Sequence, residues 1–199
     1  MTKVLSHFPF ITVEEFEEAC RHIDRWSEFE LSLAGPVSLK LSKSTSLNAI
    51  HKPDEDGDEN EVNEDDEELL QSDSNVPPAV RLDYEIMLST SYRVPVVYMQ
   101  CRDSYLSIDQ VYDALVPASG SSAMRAVGVL GALSMTDHPL TGLPAYFVHP
   151  CRTAEAIRSS SASSQMDPLA YMMLWFGVIG SSVGLSVPTK VALHSNICN

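Results

Sequence analysis

The sequence predicts an α+β fold in which an antiparallel sheet is flanked by helices. Apolar residues that alternate with polar ones, as in strands, cluster in the middle of the chain and are joined by turns. Helical patterns lie nearer the two ends. The 199 residues, 44% of them apolar, suit a single domain with one core, and no internal repeat is visible.

The first helix is predicted over residues 12–28. Thr12 and Glu15 have the spacing of a capping box, in which each side chain bonds a free backbone N–H of the first turn. Apolar residues then follow at helical spacing: Val13, Phe16, Cys20, Ile23 and Trp26. Cys20 on this stripe is expected to be a buried small hydrophobe.

Strands are predicted next. Residues 29–43 alternate and are interrupted by Gly35-Pro36, which indicates a turn or a bulge. Residues 82–90 and 94–101 form two further apolar runs around the turn STSYRVP, which favours an antiparallel hairpin. Shorter strands are expected within residues 125–135 and at 146–148.

Three helices are predicted in the second half of the chain. Ser107 caps a short helix with Gln110 three residues on, and a second short helix covers residues 153–159. Asp167-Pro168 opens a strongly apolar helix in a stretch without charge up to Lys190. Its length allows a membrane span, but glycine and serine dilute its second half, so we favour a buried helix without stable membrane insertion.

The acidic charge is concentrated in one segment. Residues 54–68 hold 11 acids and no base, while the rest of the chain has 16 acids against 13 bases. Neither balance favours a nucleic-acid surface, which needs clustered Lys and Arg. Residues 44–80 are expected to be an extended, disordered insertion, acting either as a solvated loop or as an acidic contact for a basic partner.

Cys151 is the candidate nucleophile. It follows Pro150 where a predicted strand stops, and a proline there forces the chain out of the sheet, so the thiol should face solvent. If Thr153 caps the next helix, the helix N-terminus and Arg152 both favour the nucleophilic thiolate. Cys101 and Cys198 are interpreted as bystanders. Neither a nucleotide-binding glycine loop nor metal-ligand spacing is visible, so no cofactor or metal is predicted.

The residues around Cys151 resemble a known family. His149-Pro150-Cys151, with Asp137-His138-Pro139 and Gly142 upstream and an apolar helix downstream, is similar to the autophagy ubiquitin-like-conjugating enzymes. The runs SYRVPVVY (residues 91–98) and SSVGL (residues 181–185) resemble the autophagy-related protein ten branch. The resemblance covers roughly residues 82–188.

This resemblance implies a ubiquitin-conjugating-enzyme-like domain over residues 1–199 and a cytoplasmic acyltransferase. Cys151 would accept autophagy-related protein twelve as a thioester from the activating enzyme, autophagy-related protein seven. It would then pass the modifier to a lysine of autophagy-related protein five. Alternatives are the lipid-conjugating sister enzyme, a non-catalytic binding module of the same fold, and a thiol protease that recruits His138 or His194 with Asp137.

The attack of an amine on a thioester forms an oxyanion that needs hydrogen-bond donors. Ubiquitin-conjugating enzymes use an asparagine upstream of the cysteine, but no Asn occurs between Asn75 and Asn196. We hypothesise that the Tyr92 hydroxyl is the donor, and that His138 or Asp137 orients the lysine. His149 is interpreted as a structural residue that bonds the loop rather than as a base for Cys151.

Overall fold

The computed structural model describes residues 4–26, 28–46, 79–102, 106–107, 110–111, 115 and 133–185. In chain order they form α1 (Val13–Ile23), β1 (Glu30–Ser32), β2 (Ser38–Ser46), β3 (Ala79–Ser89), β4 (Val94–Cys101), β5 (Leu133–Asp137), β6 (Pro144–Val148), α2 (Thr153–Ser160) and α3 (Pro168–Val178). The predicted α+β class with an antiparallel sheet is confirmed.

The six strands form one sheet in the order β1-β2-β3-β4-β6-β5, and every neighbouring pair is antiparallel. β4 therefore lies beside β6, with Tyr98 opposite Phe147 and Met99 opposite Tyr146. Because the two strands run in opposite directions, the turn that precedes β4 lies at the same end of the sheet as the chain that leaves β6. This neighbourhood positions the candidate site.

The predicted insertion over residues 44–80 is wrong at both ends. β2 continues to Ser46 and β3 begins at Ala79, and these two residues are paired. The sequence here is polar, but a strand with one solvated face tolerates polar residues once its backbone is paired. Residues 47–78, including the acidic run, lie outside the described residues.

The first helix is shorter than predicted, ending at Ile23 rather than at residue 28. The N–H of Trp26 donates to the Ile23 carbonyl and that of Phe29 to the Trp26 carbonyl, at 2.8 and 3.0 Å. These bonds turn the chain so that Phe29 reaches the core, where it is 8% exposed. Of the predicted apolar stripe, Phe16, Cys20 and Ile23 are buried, Trp26 in the turn is half-buried, and Val13 is 47% exposed.

The other strands and helices of the second half are found where residues are described. The strand expected within residues 125–135 is β5, which begins at Leu133, and residues 125–132 lie outside the described part. The strand expected at 146–148 is β6, and the helix expected over 153–159 is α2. Ser107 and Gln110 exchange the two bonds of a capping box, at 2.8 and 3.2 Å.

α3 packs with α1 over one face of the sheet. Asp167 caps it by accepting the Ala170 N–H at 2.7 Å, as predicted. It is 11 residues long, roughly 16 Å, about half of what a bilayer core requires. In the described part of the chain, no helix is both long and apolar enough to cross a membrane. The helix is instead buried in the core.

Trp175 is the largest fully buried side chain of α3, and its Nε1 donates to the Pro95 carbonyl at 3.1 Å. We expect Trp175→Phe to lower the free energy of unfolding by about 2 kcal/mol, because it leaves a small cavity and an unsatisfied buried carbonyl. Urea denaturation measures this change. Trp26, half-buried at the surface of the core, is the matched control, and Trp26→Phe should cost less than about 1 kcal/mol. Equal losses in the two variants would contradict this account.

Glu15 links the N-terminal segment to α1. One carboxylate oxygen accepts the Ser6 N–H and hydroxyl, both at 2.8 Å, and the other accepts the Thr12 N–H at 2.9 Å. Burial by itself raises the pKa of Glu15, but these hydrogen bonds outweigh it and hold the pKa below the usual value of about 4.5. Folding therefore stabilises the charged form of the Glu15 carboxyl group relative to its protonated form.

A carboxyl group whose pKa is lowered by folding stabilises the fold above its unfolded-state pKa and loses this effect as the pH falls through the folded-state value. We expect Glu15→Gln to cost about 1 kcal/mol at neutral pH and to flatten the loss of stability below about pH 4.5. Unfolding free energies measured from pH 7 to 3 test this. Glu17→Gln, at a position whose carboxylate forms a solvent-exposed ion pair with Arg21, should retain the wild-type acid dependence.

Candidate active site

Cys151 lies just beyond the end of β6, in a 3₁₀ turn over Pro150–Arg152 that leads directly into α2. It is exposed, whereas Cys101 is half-buried and Cys20 is fully buried. Burial raises the pKa of Cys20 to about 12, so that thiol is inert at neutral pH. Cys198 lies outside the described residues. Of the three described cysteines, Cys151 is thus the one accessible to a partner.

The turn has a local cause in the sequence. Pro150 cannot continue the sheet ladder, and its fixed backbone angle suits the first position of a turn. The N–H of Cys151 donates to Nδ1 of His149 at 3.2 Å. The expected cap at Thr153 is absent: Arg152 precedes α2 without a side-chain cap, and Thr153 is the buried first residue of the helix.

Arg152, which follows the thiol, lies near an acidic side chain of α2. Its guanidinium Nε lies 3.8 Å from a carboxylate oxygen of Glu155, and the two side chains are 71% and 76% exposed. The positive charge is therefore shared with a carboxylate and screened by water.

Tyr92 lies on the turn between β3 and β4, and the structure brings it to the segment that carries Cys151. Its ring is 42% exposed and meets the ring of His149 edge-on, with centroids 5.6 Å apart. His149 in turn contacts Phe147 at 5.8 Å. Tyr92 therefore lies against the residue two positions before Cys151, and its role as the oxyanion donor stays a prediction.

The turn that presents Tyr92 is held from several sides. Arg93 has a left-handed backbone (φ 54°), and its N–H donates to the Ser89 carbonyl at 2.7 Å. Its carbonyl accepts the Ile11 N–H at 3.0 Å, while its guanidinium lies 4.5 Å above the Phe10 ring. The N-terminal segment therefore fixes the turn, and with it the backbone of Tyr92.

The structure does not bring His138 or Asp137 to the thiol. His138 is 2% exposed and lies under Tyr98, with ring centroids 5.2 Å apart, so it cannot touch a lysine at Cys151. Asp137 pairs with Pro144, seven residues before Cys151 along β6, which places it roughly 20 Å away. The hypothesis that either residue orients the lysine is therefore wrong.

His138 belongs instead to a buried polar cluster on the outer face of the sheet. Its Nε2 lies 3.3 Å from a Glu85 carboxylate oxygen, although the N–H is not aligned for a hydrogen bond. Glu85 also accepts from the Ser38 hydroxyl at 2.5 Å and lies 3.6 Å from Lys40 Nζ. Burial lowers the pKa of His138; Glu85 opposes this effect and Lys40 adds to it. A neutral His138 that also accepts the Leu140 N–H anchors the β5–β6 loop.

Sequence reasoning missed Phe147 and Glu85. Phe147 was detectable, because residues two apart on a strand face the same way and Phe147 precedes His149 by two. Glu85 was not detectable as the partner of His138, since the two residues are far apart in the chain and only the loop fold joins them.

These contacts argue against a thiol protease. Such an enzyme needs a histidine beside the cysteine and commonly uses the backbone N–H of its nucleophile as an oxyanion donor. Here the N–H of Cys151 already donates to His149, and His138 is buried elsewhere. His194 lies outside the described residues. Nor do the described residues contain a group of three or more His, Cys, Asp or Glu that could hold a metal.

Comparison with known proteins places this geometry in a family. Residues 13–190 match the family described as autophagocytosis associated protein, active-site domain. The chain is 29% identical to the ubiquitin-like-conjugating enzyme ATG10 of Gibberella zeae over 237 aligned positions, covering 96% of this chain and 99% of the relative. It is 31% identical to ATG10 of Arabidopsis thaliana and 26% identical to ATG10 of Homo sapiens, over 55% and 57% of this chain and 51% and 53% of those relatives.

The family match spans most of the chain and includes the β3–β4 turn, the 3₁₀ turn with Cys151 and both later helices. The accessible cysteine beyond the end of β6 and the six-stranded antiparallel sheet agree with an active-site domain of this kind. The chain therefore belongs to the autophagocytosis-associated active-site-domain family, as a member related to the ubiquitin-like-conjugating enzymes named ATG10.

Proposed function

We propose that Cys151 accepts a ubiquitin-like modifier as a thioester from an activating enzyme and yields it to a lysine of a target protein. The observation that carries the proposal is the exposed thiol of Cys151 on a capped turn inside the matched active-site domain. Cys20 and Cys101 are less accessible, so neither competes for a protein-sized donor.

The chemistry requires two acyl transfers. The Cys151 thiolate attacks the carbonyl carbon of the thioester on the activating enzyme, a new C–S bond forms, the C–S bond to that enzyme breaks, and its sulfur leaves as thiolate. The neutral amine of a lysine then attacks the same carbon, the C–S bond of Cys151 breaks, and an isopeptide bond forms. The amine proton passes to solvent, and the sulfur leaves as thiolate.

The proposed partners are those implied by the resemblance of the residues around Cys151 to the autophagy-related protein ten branch. The modifier is autophagy-related protein twelve, the activating enzyme is autophagy-related protein seven, and the acceptor is autophagy-related protein five. The reaction takes place in the cytoplasm, where thiols stay reduced. Because the activating enzyme spends the ATP, this chain uses no cofactor in either transfer. The named relatives all carry the ATG10 name, which favours a protein lysine over a lipid amine as the acceptor.

Tyr92 is the proposed donor to the oxyanion. Its ring lies against His149, two residues before Cys151, and remains 42% exposed, so an incoming thioester can reach the hydroxyl. The turn that carries it is fixed by Arg93 and the N-terminal segment. A donor held in place before the reaction stabilises the developing charge without reorganisation.

Variants of Cys151 test the nucleophile. With activating enzyme, modifier and ATP, we expect the wild-type chain to form an adduct that thiols cleave. Cys151→Ser should form an ester adduct that survives thiols, because an oxygen ester exchanges slowly with them, and Cys151→Ala should form none. Non-reducing gels measure all three adducts.

Cys101→Ser is the control, and it should load like the wild type because Cys101 is half-buried within β4. Conjugate formation at a normal rate by Cys151→Ala would overturn the proposal.

A variant of Tyr92 tests the oxyanion donor. We expect Tyr92→Phe to slow the discharge of preloaded enzyme to a lysine acceptor by about 100-fold, the cost typical of removing one oxyanion donor. Single-turnover chase reactions measure the rate. Tyr98→Phe is the matched control: its ring stacks on Phe147 farther along the sheet, and its discharge rate should remain that of the wild type. Unchanged discharge in Tyr92→Phe would show that the hydroxyl has no catalytic role.

A further inference from the structure

The turn that carries Cys151 is capped by one side chain, that of His149. Pro150 takes the first position of the turn and has no N–H, so the first amide in need of an acceptor is that of Cys151. This N–H donates to Nδ1 of His149 at 3.2 Å. The imidazole thus serves this turn as an Asn or Asp side chain serves the start of many helices.

The same hydrogen bond assigns the protonation of the His149 ring. A neutral imidazole has one N–H and one acceptor nitrogen. Because Nδ1 accepts from the Cys151 amide, the proton of the neutral ring lies on Nε2. The single lone pair available for accepting a proton is therefore occupied, and the ring in this state cannot deprotonate the neighbouring thiol.

Two aromatic rings hold the imidazole in this orientation. Tyr92 meets it edge-on at 5.6 Å with an interplanar angle of 79°, and Phe147 contacts it at 5.8 Å with an angle of 54°. Phe147 is itself stacked on Tyr98 at 6.0 Å. The contacts come from the β3–β4 turn on one side and from β6 and β4 on the other, so the acceptor nitrogen is directed by tertiary packing.

We infer that His149 is a positioning residue that acts through Nδ1. It holds the amide of Cys151, and with it the thiol, in the orientation from which the sulfur attacks. The ring is neither the base that deprotonates the sulfur nor a donor to the oxyanion. This inference rests on the proposed function of Cys151 as the nucleophile.

The backbone N–H of Cys151 is committed to His149 and is not free to donate to the reacting carbonyl. Stabilisation of the oxyanion then needs a donor other than this N–H, which is the role proposed for Tyr92. A site of this kind separates the positioning of the sulfur from the stabilisation of charge.

Substitutions at His149 distinguish the three roles an imidazole could have. In His149→Asn the amide oxygen takes the place of Nδ1 and can accept the Cys151 N–H. In His149→Gln the amide nitrogen takes the place of Nε2 and keeps a donor there, without the acceptor near the backbone. His149→Ala removes both groups. None of the three variants retains a group that acts as a base near neutral pH.

Two measurements on the full-length chain test the inference. Amide hydrogen exchange of Cys151, followed by NMR on ¹⁵N-labelled protein, reports the hydrogen bond itself and needs no partner. The rate of thioester formation with activating enzyme, modifier and ATP reports its effect on the thiol. We expect His149→Asn to stay within about twofold of wild type in both, since Asn is a good capping residue. His149→Gln and His149→Ala should exchange faster and load more slowly, each by about fivefold.

Three outcomes would overturn the inference. Loading retained by Gln and lost by Asn would assign the role to Nε2 as a donor. Equal, large losses in Asn, Gln and Ala would indicate a base or a role for the ring itself. Wild-type exchange and loading in Ala would leave His149 without a role.

Failure of the proposed function has a different signature. If Cys151 is not the nucleophile, Cys151→Ala conjugates normally while the order of amide exchange among the His149 variants still follows the hydrogen bond. Thermal unfolding of each variant shows whether a loss of loading reflects the turn or the whole fold.

Discussion

The position of the candidate site depends on how α3 is tied to the sheet. Trp175 and Tyr171, both fully buried, donate to the carbonyls of Pro95 and Pro9, at 3.1 and 2.9 Å. A buried carbonyl without a donor is costly, so these bonds specify one arrangement of the helix over the sheet. They anchor the start of β4 and the N-terminal segment, and these two parts together hold the turn that presents Tyr92. The apolar side chains that made α3 a candidate membrane span thus pack in the core between the sheet and its helices.

The site itself forms where two separate parts of the chain meet at one end of the sheet. The β3–β4 turn supplies Tyr92, and the end of β6 supplies His149 and Cys151. They are neighbours because β4 lies next to β6, although the connection between these strands contains some forty residues. Contact between the rings of Tyr92 and His149 then joins the two parts. The thiol sits on a short turn outside the sheet, accessible to a large partner, while the groups around it are fixed by the sheet beneath.

The cysteines differ in reactivity because they differ in burial. Cys20 on α1 is surrounded by apolar side chains, and its raised pKa removes it from reactions at neutral pH. Cys151 has no such surroundings. A buried histidine, His138, shows the same principle for another side chain: burial keeps it neutral beside Glu85 and gives it the task of anchoring a loop. Cysteine and histidine both suggest catalysis in the sequence, but their burial decides whether they can react. Exposure beyond the end of β6 distinguishes Cys151 from the buried Cys20 and the half-buried Cys101.

What the sequence by itself determined was local. The capping box of Thr12 and Glu15, the cap at Asp167, the alternation of β3 and β4, and the exit of the chain at Pro150-Cys151 are all encoded by residues within a few positions of one another. The end of α1, the true ends of β2 and β3, the burial of His138 and the acceptor for the Cys151 amide were decided by the tertiary structure. The physical reason is that each of these depends on a partner from elsewhere: a core that turns the chain early, a strand to pair with, a carboxylate, or rings that orient an imidazole. Local patterns specify which backbone groups need a partner, and only packing decides which side chain supplies it.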